Sequence, residues 1–325
     1  MPKVSVIVPV YGVEKYIERC ARSLFEQTLD DIEYLFIDDC TPDRSIDILK
    51  NVLDEYPFRK KQAIIHRMEQ NSGQAAVRKW GMQNATGDYI VHCDSDDWVE
   101  LDMYKTMYER AIDESADIVV CNFKRTNGID YNKIEKGCHS INKSEYIENC
   151  IFQKDHWSLW NKIISRELLN SAYITYPQDP MGEDMAIFFQ LVCNCKKISY
   201  VDEAYYNYFC NNGSITKKNS ESRCLNNYRQ LKNNTSIVIN MLENGSIECR
   251  NTKLVIPYLR LLNAMSLLRV LHIKEYKKIW DQECKNLPFF SFMSSTLVPA
   301  YIKYVYVMAT LHIYPTKKMR AQINT

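Results

Sequence analysis

The sequence predicts an α/β fold: a mostly parallel sheet flanked by helices, followed by a helical C-terminal region. Three observations carry this. Between Val4 and Phe123, short apolar β-branched runs alternate with stretches of about 10–15 residues in helical rhythm, the signature of strand–helix–strand units. Acidic and turn-forming residues gather at the carboxyl ends of those runs, where such sheets collect their ligands. Beyond about Ser220 the strand signals stop and the text becomes helical and increasingly apolar.

Val4 to Val10 reads as a buried strand ending at Pro9-Val10-Tyr11-Gly12, and Val13 to Thr28 as a helix with Tyr16, Ile17, Cys20 and Leu24 on one face. Ile32 to Ile37 is the second strand, closed by Asp38-Asp39. Thr41 as cap and Pro42 at the first position then predict a helix through Ile46, Leu49 and Leu53. Gln62 to Arg67 is a strand, Asn71-Ser72-Gly73 a turn, Gln74 to Asn84 a helix and Asp88 to Cys93 a strand. Leu101 to Glu114 reads as a helix and Asp117 to Phe123 as a strand. The alternation then breaks. Asn127 to Lys143 is polar, Ser144 to Phe152 and Trp160 to Leu169 read as helices, Tyr173 to Gly182 as a loop, Glu183 to Val192 as a helix and Ile198 to Phe209 as an aromatic-rich strand. The expected division is 1–220, with halves 1–125 and 126–220, and a helical region 221–325.

The 325 residues carry a formal net charge of +1, so no global field argues for nucleic acid. Any anionic ligand must be held by local groups. The 12 cysteines contain no C-x-x-C pair, which speaks against a zinc site or a disulfide framework. The N-terminus reads without a signal peptide, and with free thiols this predicts a cytoplasmic protein. Two apolar segments, Leu254 to Ile273 and Leu297 to Tyr314, are interrupted by Arg260, Arg269 and Lys303, and Pro315-Thr316-Lys317-Lys318 follows the second. They read either as core-packed helices or as a membrane-surface element at the inner face of the membrane, ahead of a true span.

The text GDYIVHCDSDDW places Asp94, Asp96 and Asp97 within four residues at a strand end. Two carboxylates in a D-x-D arrangement can face one point, where a hard divalent cation such as Mn²⁺ or Mg²⁺ would satisfy both and add phosphate oxygens from a substrate. A solvated acidic turn reads equally well from that stretch alone. Asp38-Asp39 is a second acidic pair at a strand end. One carboxylate there could accept from a base or ribose, and Asp38 reads better as a turn and cap residue. Tyr11 could stack on a base or be an ordinary half-buried tyrosine.

The words VSVIVPVYGVEKYIERCARSLFEQT, IEYLFIDDCTPDRS and NSGQAAVRKWGMQNATGDYIVHCDSDDW, with a looser MGEDMAIFFQL, together resemble the family-two inverting glycosyltransferases of GT-A, Rossmann-like fold. The resemblance covers about the first 100 residues closely and thins after about residue 215, with Asn161-Lys162 and Ser214-Ile215-Thr216 as weak echoes. It implies a nucleotide-diphosphate-sugar donor, with uridine expected from family habit, a divalent metal, and a glycan or lipid-linked acceptor. Pro9, Val10, Tyr11 and Glu14 match the family's first nucleotide-binding segment, Asp39 its base-reading Asp, and Arg78 an Arg near the donor phosphates. Asp94, Ser95 and Asp96 match the D-x-D, with Asp96 and Asp94 as metal ligands and Asp97 sharing that role. Glu183 and Asp184 match the acceptor-side pair, with Asp184 as general base. Without the resemblance, Gly182-Glu183-Asp184 reads as an acidic helix start.

Lys79 stands where the family usually has Asn, and Cys40-Thr41 where it has Gly-Ser or Asn-Ser. The alternatives are a nucleotidyltransferase or a non-catalytic sugar-nucleotide-binding protein. The first would want a Gly-rich basic loop near the N-terminus, yet Gly12 is the only glycine before Gly73. The intact D-x-D and Glu-Asp pairs argue against the second. His66, His92 and His139 have no ligand spacing. Trp157 and Trp160 read as acceptor-groove or core residues.

Overall fold

The computed structural model describes residues 1–140, 142–210, 220–311 and 313. The chain divides into two compact units, Met1–His139 with Ser158–Asn212, and Ser140–Trp157 with Gly213–Thr325. Residues 140–157 group with the C-terminal helices.

In the first unit the elements run β1 (Val4–Val10), α1 (Ile17–Phe25), β2 (Ile32–Asp38), α2 (Ser45–Asp54), β3 (Ala63–Arg67), α3 (Gln74–Asn84), β4 (Tyr89–His92), β5 (Trp98–Val99), α4 (Met103–Glu114), β6 (Ile118–Thr126) and β7 (Asn132–Glu135). After α5 (Lys143–Ile151), which belongs to the second unit, come β8 (Lys162–Ser165), α6 (Arg166–Ser171), α7 (Glu183–Asn194) and β9 (Ile198–Phe209). The strands form one sheet in the order β3-β2-β1-β4-β8-β6-β9-β5, with β7 on β6. It is parallel from β3 to β4 and between β6 and β9, and antiparallel elsewhere.

Alternation in β1 explains the layering. Val4, Val6, Val8 and Val10 enter one core with Ile17, Leu24 and Phe25 of α1 and Met103 and Met107 of α4. Ile7 points the other way, against α3. β1 pairs with β2 and β4 on either side, so the loops after these three strands open at one end of the sheet.

Three local expectations are corrected. Trp160–Leu169 is not one helix. Lys162–Ser165 is a strand between β4 and β6, where the β-branched pair Ile163-Ile164 is fully buried or nearly so. Only Arg166–Ser171 is helical, with Ser165 Oγ accepting from Leu168 N. The first helix begins at Ile17 rather than Val13, because the backbone N–H groups of Gly12 and Val13 bond Thr41 Oγ1 and Ser45 Oγ. Thr41 does not cap α2. Asp43 Oδ1 accepts from Ser45 N and sets that start three residues after Pro42.

The second unit holds α5, α8 (Glu221–Glu243), α9 (Thr252–Ala264), α10 (Lys274–Cys284), α11 (Phe289–Ser294) and α12 (Ala300–Thr310). Glu148 of α5 ties it to the chain before α9 by accepting from the N–H groups of Arg250 and Asn251. The segment Leu254–Ile273 buries Leu254, Val255, Tyr258, Leu259, Leu261 and Leu267, the core alternative. α12 buries Ile302, Val305, Tyr306 and Ala309 but leaves Tyr304 exposed, and Leu311 just past its end is exposed too. Among the described residues, no helix is long and apolar enough to cross a membrane. Tyr314, Pro315–Lys318 and Ser214-Ile215-Thr216 lie outside the described residues.

Candidate active site

The site begins where β1 and β2 end side by side. Val10 O accepts from Asp39 N at 3.1 Å, and the two following loops are laced together: Gly12, with φ +68°, bonds Thr41 Oγ1, and Glu14 N bonds Asp43 Oδ2 at 2.9 Å. Glu14 Oε2 accepts from Arg44 N at 3.3 Å. Pro9 and Val10 lie within β1, and Tyr11 stands 48% exposed just past it.

The acidic pair divides its work. Asp38 accepts from Thr41 N at 2.7 Å and pairs with Arg67, the turn-forming role. Asp39 is buried, and its two oxygens accept from Ser72 N at 2.7 Å and Gly73 N at 2.9 Å. It therefore anchors the amino end of α3, where Gly73 takes φ +80°, a conformation that favours glycine. Each carboxylate oxygen keeps a second lone pair.

α3 then carries Arg78 to the acidic loop. Arg78 is 3% exposed. Its Nη2 donates to Asp94 Oδ1 at 2.7 Å and its Nη1 to Glu183 Oε1 at 2.5 Å. Burial alone would lower its pKa, but Asp94 and Glu183 more than offset this and raise it. Gln74 Nε2 also reaches Asp94 Oδ1, at 3.4 Å. Glu183 and Asp184 occupy the first turn of α7 behind Gly182, which caps the helix at φ +80°. Burial pushes both carboxyls up against the pull of Arg78. Asp184 Oδ1 accepts from Met185 N at 2.8 Å.

Within the loop the three aspartates differ. Asp97 is buried; Oδ2 accepts from Tyr206 Oη at 2.7 Å and Oδ1 from Phe209 N at 2.7 Å. It pins the loop to β9, so both its oxygens are committed inside the protein rather than offered to a ligand. Tyr206 Oη also accepts from Asp94 N at 3.1 Å. Ser95 is buried. The Asp96 carboxylate receives no hydrogen bond from another described side chain, and burial and neighbouring Asp94 raise it to about 6. Its carbonyl is held by Arg19 Nη2 at 2.8 Å, and that guanidinium lies 3.7 Å over Trp98 and 4.5 Å over Phe209.

The donor set suits a hard cation. Asp96 and the second oxygen of Asp94 are carboxylates with like charge crowded on them and no cationic side chain of their own beyond Arg78. No cluster of three or more His, Cys, Asp or Glu ligands exists among the described residues, so a cation here would complete its shell with water and substrate oxygens.

Some members of the site were not singled out in advance. Tyr206 and Arg19 carry it without belonging to a motif, and Lys162 stood only in the weak Asn161-Lys162 echo. Lys162 is fully buried, donates to Ser158 O and Asn161 Oδ1, each at 2.7 Å, and offsets a small part of the upward push of burial on the Asp184 carboxyl. For Tyr206 the signal was the aromatic content of its strand. His92 is fully buried with neither ring nitrogen bonded, and burial beside Arg78 keeps it neutral. Trp160 is core: it stacks on Tyr206 at 4.4 Å and meets Phe123 edge-on at 4.7 Å.

The mixed α/β sheet, with paired carboxylates on the two arms of one arginine beyond its strand ends, is the architecture of the GT-A fold. The chain belongs to glycosyl transferase family 2, which residues 5–171 match. It is 31% identical over 225 residues to the uncharacterized glycosyltransferase EpsJ of Bacillus subtilis (strain 168), covering 67% of this chain and 64% of that protein. The chain thus spans slightly under two thirds of that relative's length. Among solved structures it resembles S. aureus TarS 1-349 in complex with UDP, with TM-score 0.68, 20% identity and coverage of 96% and 88% of the two chains. The mannosyltransferase PcManGT from Pyrobaculum calidifontis in complex with GDP-Man and Mn²⁺ follows at TM-score 0.56 and 13% identity, covering 96% and 87%.

Proposed function

We propose that this protein is a metal-dependent inverting glycosyltransferase that moves a sugar from a UDP-sugar to a hydroxyl of a glycan or lipid-linked glycan, as in cell-surface polysaccharide synthesis. It works in the cytoplasm, at the inner face of the membrane. Residues 1–125 take the donor and residues 126–220 the acceptor. The observation that carries this reading is Arg78, whose two arms hold Asp94 of the D-x-D and Glu183 of the acceptor-side pair in one place.

Asp39 keeps lone pairs for the N–H of a base, and Tyr11 offers a ring at the rim. Pro9, Val10 and Glu14 shape the loop beneath the nucleoside. Asp96 and Asp94 are the cation ligands; bound there, Mn²⁺ or Mg²⁺ supplies positive charge against the diphosphate leaving group. Asp97 and Tyr206 hold those ligands in place. Asp184 accepts the proton of the acceptor hydroxyl as its oxygen attacks the anomeric carbon. The bond from that carbon to the diphosphate breaks on the opposite face, and one displacement inverts the centre. Arg78 pulls the Glu183 carboxyl down against the push of burial and keeps α7 aligned with the acidic loop.

The test is transfer, or donor hydrolysis, with Mn²⁺ or Mg²⁺, comparing wild type with Asp96→Ala and Asp184→Ala. Both variants should lose turnover. Unchanged turnover in the two would overturn the proposal.

A further inference from the structure

β9 carries two tyrosines that stand side by side and do different things. Tyr206 and Tyr208 are two positions apart on the strand, so their side chains leave it on the same face. Both rings stack on Trp160, with centroids 4.4 Å and 5.7 Å away and interplanar angles of 18° and 28°. Tyr206 is fully buried, and its hydroxyl is committed to Asp97 Oδ2 and to the N–H of Asp94. Tyr208 is only half-buried. Its ring is held by Trp160 and by the Arg125 guanidinium, 5.4 Å from the centroid. Its hydroxyl has no hydrogen-bond partner among the described residues.

Position says what that hydroxyl meets. Tyr208 is bracketed by two residues that hold Asp97: Tyr206 through Oη and Phe209 through its backbone N–H, each at 2.7 Å. The acidic loop is therefore its neighbour. Burial, with the charges of Asp97, Asp94 and Asp96, pushes the phenol up to about 12, so at neutral pH it keeps its proton and can donate. The sheet gives the direction. The loops that carry Tyr11 and Asp39 follow β1 and β2, and the acidic loop follows β4. That loop ends in β5, whose Trp98 pairs with Asn207 of β9, so Asp94 to Asp97 run from β4 towards Tyr208. A nucleotide sugar with its base at Tyr11 and Asp39 and its diphosphate at Asp94 and Asp96 then brings its sugar end towards β9. A phenol whose ring is already held loses little freedom when its hydroxyl takes a partner, which favours selective recognition.

We propose that Tyr208 is a specificity-determining residue of the donor site: its hydroxyl donates a hydrogen bond to an oxygen of the sugar that is transferred. This rests on the UDP-sugar reading of the site and adds to it a residue that stands in none of its motifs.

The experiment is calorimetric titration of the full chain, with Mn²⁺ present, by UMP, UDP, UDP-glucose, UDP-galactose and UDP-N-acetylglucosamine. Wild type is compared with Tyr208→Phe, which keeps the ring on Trp160 and removes only the hydroxyl. For the UDP-sugar that wild type binds most tightly, Kd should rise about fivefold in the variant, the worth of one neutral hydrogen bond. UMP and UDP should bind both proteins alike. Melting without ligand should not change, because the hydroxyl has no protein partner to lose. Equal binding of that UDP-sugar by the two proteins overturns the assignment. So does equal weakening of UDP, which would put the hydroxyl on the diphosphate, or a lower ligand-free melting temperature, which would make its role structural. The two readings fail separately. Wild type that binds neither UDP nor any UDP-sugar removes the donor reading itself, and the assignment with it. Wild type that binds a UDP-sugar no better than the Phe variant does removes only the assignment to Tyr208.

Discussion

Arg78 and Glu183 meet at 2.5 Å, although 105 positions separate them in the sequence. The other arm of the same guanidinium holds Asp94 at 2.7 Å, so one buried cation sets the spacing between the acidic loop and helix α7. Arg78→Met would leave Glu183 buried without its partner, and breaking a buried pair in this way costs about 3–5 kcal/mol. Thermal unfolding should show a clear drop, and transfer should fall with it. Glu183 can take up a proton once the cation is gone, so the drop should be smaller at pH 5 than at pH 8. Arg78→Lys restores the charge but not the two-armed geometry, and should recover stability more than activity. A Met variant with wild-type melting and turnover would show that the bridge carries no weight.

Asp184 is the proposed base, and its burial carries a consequence for pH. Burial raises its pKa above the ordinary aspartate value. A base must be deprotonated to work, so kcat/KM should decline on the acid side at a higher pH than an exposed aspartate would give. Asp184→Asn should lower turnover by roughly 10²–10⁴ while leaving donor affinity unchanged by calorimetry. A variant that loses donor affinity as strongly as turnover would move Asp184 to the donor side.

Asp96 gives a prediction about metal. Its pKa rises from the ordinary 3.8 to about 6 through burial and Asp94. Between those values the folded state binds more protons than the unfolded chain. The contribution of Asp96 to stability is therefore full below about 3.8 and lost as pH rises through about 6. A divalent cation relieves the same crowding, but only once the carboxylate is ionised. The rise in melting temperature on adding Mn²⁺ should be larger at pH 7.5 than at pH 5, and Asp96→Asn should reduce it at pH 7.5. At a hundredfold excess over Kd the effect corresponds to about 2.7 kcal/mol. A shift that is independent of pH would place the cation elsewhere.

The parts of this protein that were legible in sequence are those where local pattern and tertiary role agree. β1, β2, α3 and β9 were predicted within a residue or so because their periodicity is the periodicity of the face they bury. Lys162–Ser165 was misread as helix. Four residues are too short to show a period, and what makes them a strand is the slot between β4 and β6, which lies outside the local text. The aspartates were found because they stand in motifs. Their division of labour was not, because Asp97 differs from Asp96 only in having Tyr206 and Phe209 within reach. Arg19 left no signal and Lys162 only a weak one, since an arginine against Trp98 and a lysine beside Asn161 become notable only when the chain has folded.

Tyr206 makes that division testable. Its hydroxyl donates to Asp97 and accepts from Asp94 N, while its ring stacks on Trp160. Tyr206→Phe keeps the ring and removes both bonds, leaving a buried carboxylate oxygen unpaired at a cost of about 1–3 kcal/mol. Because the hydroxyl fixes Asp94, the variant should also bind Mn²⁺ and donor more weakly in a thermal-shift titration. Lower stability with unchanged metal affinity would confine Tyr206 to a structural role.

Gly81 shows why α3 can bring Arg78 so close. A glycine inside a helix is normally about 1 kcal/mol worse than alanine, so Gly81→Ala would stabilise an isolated α3. Here a Cβ would stand 2.5 Å from Ile7 Cγ2 and 3.1 Å from Ile37 Cδ1. Ile7 is fully buried in β1 and stiff at its branched carbon, so the helix must move rather than the side chain. Overpacking of this kind costs about 1–3 kcal/mol, which outweighs the gain in propensity. Arg78 sits one turn earlier on the same helix, so outward movement should lengthen its bonds to Asp94 and Glu183 and lower transfer as well as melting temperature. Adding Ile7→Ala opens the space the new methyl needs. The double variant should therefore lose less stability than the two single losses added together. Additive losses would mean that α3 accommodates the methyl without touching β1.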